Sequence, residues 1–231
     1  MSNDLNIPVN NSEPTVPQPK GSTRENEHSK DEHDPEAAGS TVRELKKQLF
    51  SDEKICIIGL GYVGLTLAVS MANVGYQVHG VEIRQDVLDK LEQGKPTFFE
   101  EGLSSELKSA LKKKTLTFST SIDKIPFKPS VYIITVGTPL KADGRVRLDM
   151  IENAAREIKT FLADGDLVIL RSTVRIATAR NVIMPILDEK NVNYHVAVCP
   201  ERTLEGYALK ELHYLPQIIG ADDLQTRERC S

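Results

Sequence analysis

Cysteine is scarce in this chain: its 231 residues hold three, Cys56, Cys199 and Cys230, widely separated and in no metal-ligand spacing. That spacing excludes a disulfide framework and a cysteine-based metal site, and it fits a reducing cytoplasm. Cys56 and Cys199 fall inside apolar runs, where a free thiol behaves as a small hydrophobe. Long apolar stretches are missing as well. None approaches the ~18 residues needed to cross a bilayer, and the N-terminus lacks the charged-then-apolar order of a signal peptide. Nor is there an excess of positive charge. The formal net charge is −4 and the only basic cluster is Lys112 to Lys114, which reads as a solvated helix end. Nucleic acid is therefore not an expected partner, because neutralising phosphates needs a basic face. Internal repeats are also absent.

Large apolar residues are almost missing from residues 1–41, which are rich in Asn, Ser, Glu, Asp, Pro and Lys. Such a segment buries too little surface to offset the entropy of ordering and is expected to be a disordered tail. Its His28 and His33 lack the company of other ligand types and read as incidental polar residues. A lead-in helix is expected over 42–53, its pattern carried by residues 42–50, and an ordered α/β domain over 54–231.

What is present begins with Lys-Ile-Cys-Ile-Ile-Gly-Leu-Gly-Tyr-Val-Gly at 54–64, an apolar strand running into a GxGxxG turn. Each part has a physical task. Gly59 makes the tight turn, Gly61 lets backbone approach a pyrophosphate, and Gly64 lets the following helix pack on the strand. The helix N-terminus offers free N–H groups to phosphate. After the helix, Gln-Val-His-Gly-Val-Glu ends in Glu82, placed to accept the hydrogen bonds of an adenosine ribose. Strand, glycines, helix, strand and acid in this order form a dinucleotide fingerprint; the plain alternative is a glycine-rich turn in another α/β domain.

Strand and helix patterns then alternate, which predicts a doubly wound, mostly parallel, Rossmann-like sheet. Strands are expected at 54–58, 77–82, 115–118, 131–136, 166–170, 194–199 and 216–219, and helices at 62–75, 84–93, 103–113, 149–163 and 176–190. On the first helix Val63, Leu67, Met71 and Val74 predict one buried stripe, and Gly75 a C-terminal cap. Right-handed crossovers place the strands' carboxyl ends along one rim, where ligands collect.

Three polar motifs fall on that rim. Val-Gly-Thr-Pro at 136–139 either lines the cofactor cleft through Thr138 or is an ordinary strand-ending turn. In Arg-Ser-Thr-Val at 171–174, Ser172 or Thr173 has the composition of a helix N-cap. In Cys-Pro-Glu-Arg-Thr-Leu-Glu-Gly at 199–206, Glu201 and Glu205 share a face if the segment is helical. The carboxylates there serve either a site or the loop itself.

Taken together, these motifs resemble the UDP-glucose/GDP-mannose dehydrogenase family, which oxidises the C6 alcohol of a nucleotide-sugar to a carboxylate. The resemblance rests on residues 58–65, Gly-Val-Glu-Ile at 80–83, Glu-Gly-Leu at 101–103, Val-Gly-Thr-Pro-Leu at 136–140, Leu-Asp at 148–149, Ser-Thr-Val at 172–174 and Pro-Glu-Arg-Thr-Leu-Glu-Gly at 200–206. Arg202 looks like the N-acetylhexosamine branch, with UDP-N-acetylmannosamine or UDP-N-acetylglucosamine as substrate. The resemblance implies that Gly59, Gly61, Tyr62, Val63 and Gly64 hold the NAD pyrophosphate and Glu82 the ribose. It places Thr138 and Thr173 at the nicotinamide half, and Glu201, Arg202, Thr203, Leu204 and Glu205 along the sugar nucleotide. Thr173 and Glu205 would hold a water used in the chemistry. Glu82 favours NAD over NADP, since a 2′-phosphate would sit against it, although Arg84 stands two residues away.

The family's second oxidation runs through a nucleophilic thiol assisted by a lysine. Both belong to a central domain that follows the part matched here, and a further nucleotide-sugar domain follows that. Cys230 lacks the context of the family's nucleophile. The expectation is a truncated or split enzyme, inactive alone, completed by a second polypeptide or working as a homodimer when full length. The alternatives are a non-catalytic dinucleotide-binding module with a tethering tail, and a 3-hydroxyacid-type Rossmann dehydrogenase. The loop at 200–206 argues against the latter.

Overall fold

The computed structural model describes residues 52–231. The expected tail and most of the lead-in helix lie outside them. Asp52 and Glu53, the part of the lead-in that is described, form a turn and an irregular residue rather than helix.

Apolar runs at β1 (Lys54–Ile58), β4 (Val131–Ile134) and β5 (Leu167–Leu170) form the centre of a sheet covered on both faces, the environment in which strands lose polar alternation. With β2 (Gln77–Val81), β3 (Leu116–Ser119), β6 (His195–Val198) and β7 (Gly220–Ala221) the strand order is β3-β2-β1-β4-β5-β6-β7. All neighbours pair in parallel except β6 and β7. The direction of winding reverses between β1 and β4, which opens the crevice where α/β sheets bind ligands.

Alternation along the strands creates two cores. Ile55, Ile57, Val78, Val131, Ile133 and Ala197 face α1 (Tyr62–Asn73), α2 (Gln85–Glu92) and α3 (Leu103–Lys113). Cys56, Ile58, Tyr132, Ile134, Val168 and Leu170 face α4 (Asp149–Phe161) and α5 (Met184–Asp188). Two short helices complete the chain, α6 (Ala208–Tyr214) and α7 (Leu224–Cys230), neither foreseen in the sequence. Arg229 fastens α7 to the lower edge of the sheet through Glu53 (2.6 Å), the Gly165 carbonyl (2.7 Å) and the Ser130 carbonyl (3.2 Å).

Several expectations need correction. The stripe Val63, Leu67, Met71 and Val74 is only partly covered, and Val74 is exposed. The face of α1 turned to the sheet is Gly64, Leu65, Ala68, Val69 and Ala72, because small residues let the helix approach closely. The expected helix over 176–190 cannot start at 176, since Ala177 has φ 68°. It begins as a π-turn at Ala179–Ile183 and continues as α5; Pro185 has no N–H to give to the preceding turn. The expected strand at 216–219 is irregular, and pairing waits for Gly220, where β7 runs antiparallel. Pro216 has no N–H to donate to a ladder there. Gly75 does cap α1: with φ 112° it places its own N–H on Ala72 O and the Tyr76 N–H on Met71 O, a Schellman arrangement.

Candidate functional site

At the carboxyl end of β1 the chain turns sharply and enters α1. Gly59 holds φ 94°, and an added Cβ there would stand 3.0 Å from Val136 Cα. At Gly64 an added Cβ would lie 1.9 Å from Gly59 O, so no side chain fits between helix and turn. Gly61 differs: an added Cβ would meet nothing within 4 Å, because that side of the turn faces open cleft. The first turn of α1 leaves the N–H groups of Tyr62, Val63 and Gly64 without partners among the described residues. The elbow thus presents free donors to open space, which fits a diphosphate.

Glu82, at the end of β2, turns its carboxylate onto this elbow. Oε2 accepts the Leu60 N–H at 3.1 Å and Oε1 the Arg84 N–H at 3.1 Å. The Arg84 guanidinium is itself engaged with Asp86 at 2.6 Å. Across the crevice, the Thr138 hydroxyl donates to Thr173 O at 2.7 Å and Ser172 Oγ donates to Val136 O at 2.7 Å. These bonds stitch the loop after β5 to the loop after β4. Ser172 and Thr173 are therefore not N-caps: the helix starts several residues later, and Ser172 spends its hydrogen on the neighbouring loop. A cleft of about 620 Å³ results, lined among others by Gly59, Gly61, Glu82, Arg84, Thr138 and Thr173. A larger hollow of about 850 Å³ lies along β6 and β7. It has neither the glycine turn nor the acid, so the smaller cleft is the candidate site.

The loop after β6 is not helical, so Glu201 and Glu205 do not share a helix face. Glu201 is engaged inside the protein. Its Oε2 takes Arg171 Nε at 2.9 Å and Nη2 at 2.5 Å, and its Oε1 takes the Arg202 and Thr203 N–H groups at 2.7 Å. Burial pushes this carboxyl up, but the loop amides and the Arg171 guanidinium outweigh it and hold it below the usual range. Arg202 donates to Pro216 O at 2.9 Å. Leu204 and Glu205 are exposed, and the Glu205 carboxylate makes no hydrogen bond among the described residues. Thr173 is on the cleft wall; Arg202, Thr203, Leu204 and Glu205 are not.

Tyr62 sits between these halves. Its backbone belongs to the cofactor turn, while its hydroxyl reaches Glu100 Oε2 at 2.8 Å and Leu204 O at 2.9 Å and accepts the Gly206 N–H at 2.9 Å. Sequence reasoning missed Glu100 and Arg171, charged residues that end up buried, and Thr135. The Thr135 hydroxyl is within reach of Ile58 O (2.9 Å) and Gly59 O (2.8 Å), bracing the elbow from below. A charged residue closing an apolar strand was the available signal for Arg171; nothing local marked Thr135 or Glu100.

The NAD-binding-domain model of the UDP-glucose/GDP-mannose dehydrogenase family matches residues 53–231. A UDP-N-acetyl-D-mannosamine dehydrogenase from Methanococcus aeolicus is 38% identical over 170 residues, covering 72% of this chain and 38% of that protein. A GDP-mannose 6-dehydrogenase from Azotobacter vinelandii is 35% identical over 187 residues, 77% of this chain and 43% of its own length. Among solved structures, a ternary complex of GDP-mannose dehydrogenase from Pseudomonas aeruginosa superposes with a TM-score of 0.72 at 33% identity, covering 76% of this chain and 42% of that one. The chain thus spans about two fifths of the length of the relatives it matches.

Proposed function

Because this chain belongs to the UDP-glucose/GDP-mannose dehydrogenase family, as an NAD-binding domain, we propose that it is the cofactor-binding part of a nucleotide-sugar 6-dehydrogenase. The observation that carries this reading is the Glu82 carboxylate, 3.1 Å from the Leu60 N–H and turned onto an elbow with three amides unpartnered among the described residues. In this reading the amides of Tyr62, Val63 and Gly64 hold the diphosphate, and Glu82 takes the ribose hydroxyls with its remaining lone pairs. When bound, NAD supplies the hydride acceptor. The chain's own residues orient it: Thr138 and Thr173 close the far wall, and Ser172 fixes their spacing through Val136. The Glu82 carboxylate lines this end of the cleft and the Arg84 guanidinium is already engaged by Asp86, which supports NAD over NADP.

The substrate assigned is a UDP-N-acetylhexosamine, supported by Arg202 and by the name of the Methanococcus aeolicus relative. Residues 202–205 would lie along it, with Glu201 holding their loop. Thr173 and Glu205, whose polar tips are unengaged among the described residues, would hold the water used in the chemistry. The thiol and lysine of the second oxidation come in this proposal from polypeptide outside the residues matched, in a second chain or in a full-length homodimer. The unpaired thiols of Cys56, Cys199 and Cys230 suit a reducing cytoplasm.

Calorimetric titration tests the reading. NAD is expected to bind and NADP to bind at least about ten-fold more weakly. Glu82→Ala should lower NAD affinity about ten-fold or more, the effect of losing a charge-assisted hydrogen-bond acceptor. Equal NAD affinity in wild type and Glu82→Ala would remove the central observation from the argument.

A further inference from the structure

We propose that Tyr62 is a positioning residue that couples the two halves of the site, so that a diphosphate seated on the α1 amides orders the loop at 200–207. The inference rests on reading the glycine turn as a dinucleotide site, and it adds a role for the phenol that the turn itself does not need.

Three segments far apart in sequence meet at one oxygen. The Tyr62 hydroxyl lies 2.8 Å from Glu100 Oε2 and 2.9 Å from Leu204 O, and it accepts the Gly206 N–H at 2.9 Å. Glu100 is buried, and its other oxygen accepts the Leu209 N–H at 3.1 Å at the start of α6. The ring packs against Phe98, centroid to centroid 5.1 Å. A phenol has one hydrogen to give, and the Glu100 carboxylate is the stronger acceptor. The lone pairs then remain for Gly206. Burial, followed by the hydrogen bond to Glu100, pushes the phenol up to about 12, so it stays a donor at neutral pH.

The loop depends on this contact. It is irregular from Cys199 to Gly206, anchored at Glu201 by Arg171 and at the Leu204 N–H by Glu211. Beyond that, among the described residues, the hydrogen bond that ties the Gly206 N–H to the body of the domain ends on Tyr62, and Leu204 O lies 2.9 Å from the same phenol oxygen. At its other end Tyr62 is the first residue of α1, where its N–H is one of the three free donors. An aromatic side chain has only two rotatable bonds, so fixing the first helical turn fixes the phenol within a narrow arc. A ligand that pins the turn therefore lowers the entropy still to be lost when the loop orders, and the coupling is reciprocal.

Amide hydrogen exchange on the 231-residue chain with and without saturating NAD tests the coupling, alongside calorimetry on the same samples. In the wild type NAD is expected to slow exchange at Gly206 and Leu209 about five-fold or more, an effect of the size one hydrogen bond confers. In Tyr62→Phe, which keeps the backbone N–H, NAD still binds but more weakly by the coupling lost, and the NAD effect at Gly206 and Leu209 falls below about two-fold. Circular dichroism verifies that the variant is folded. The proposal fails if NAD binds both proteins and protects the loop equally, or binds the wild type without protecting it. An absence of binding heat in both would sink the dinucleotide reading together with the coupling, a result distinct from the other two.

Discussion

His79 illustrates how much one side chain can tie to pH. It lies in β2, 1% exposed, with Nδ1 2.7 Å from Thr117 Oγ1 and Nε2 2.7 Å from Ser119 Oγ. Two hydroxyls satisfy a neutral ring, and burial lowers its pKa to about 4 from 6.5. The unfolded chain therefore takes up a proton near pH 6.5 that the folded protein refuses until about pH 4. Stability from this group is complete above pH 6.5 and is lost as pH falls toward 4, by about 3 kcal/mol in all. Urea denaturation between pH 7.5 and 4.5 should show this decline, and His79→Gln should flatten it. An unchanged slope in the variant would assign the pH dependence elsewhere.

Among the elements, the buried pair Arg171 and Glu201 joins the end of β5 to the loop after β6. Their side chains are 6% and 11% exposed, and Arg171 Nη1 also donates to Gln217 Oε1 at 2.7 Å. Three stretches of chain are therefore held by one guanidinium. Such a pair contributes little against an apolar replacement of both partners, but removing one partner strands a buried charge. Arg171→Met is expected to destabilise the domain by about 3–5 kcal/mol, and the double variant Arg171→Met with Glu201→Leu by clearly less. Equilibrium denaturation of the three proteins checks this. If the single and double variants are equally unstable, the cost comes from packing rather than from an orphaned carboxylate.

For the whole molecule, the cleft proposed for the cofactor is lined by the loops after β1, β2, β4 and β5, while the loop proposed for the sugar lies outside its wall. The chain spans 38% of the Methanococcus aeolicus relative. Under the proposed function, the thiol that carries the second oxidation and much of the sugar's binding energy must come from elsewhere. The isolated chain should therefore bind NAD yet produce NADH from UDP-N-acetylmannosamine at least about a thousand-fold more slowly than a full-length relative, since losing a nucleophile costs orders of magnitude. Absorbance at the NADH band measures this directly. Turnover comparable to a full-length relative would place the catalytic groups within these residues after all.

The sequence by itself determined whatever depends on neighbours along the chain. The runs at β1, β4 and β5 specified buried parallel strands. The spacing of Gly59, Gly61 and Gly64 specified an elbow, and Gly75 a helix end, because backbone φ/ψ limits and side-chain period are local properties. Glu82 was legible too, since its position follows from counting along one strand–helix–strand unit. Only the tertiary structure decided which face of α1 is buried, because two apolar stripes were available and the sheet accepts the one with small residues. It alone decided that β7 runs antiparallel and that the helix before β6 starts late, as a π-turn at Ala179–Ile183. The partnership of Arg171 with Glu201, 30 residues apart, and of Tyr62 with Gly206, 144 apart, was equally invisible. Hydrogen bonds across such separations exist only once the sheet has brought its loops to one rim, and no local pattern encodes which of those loops will meet.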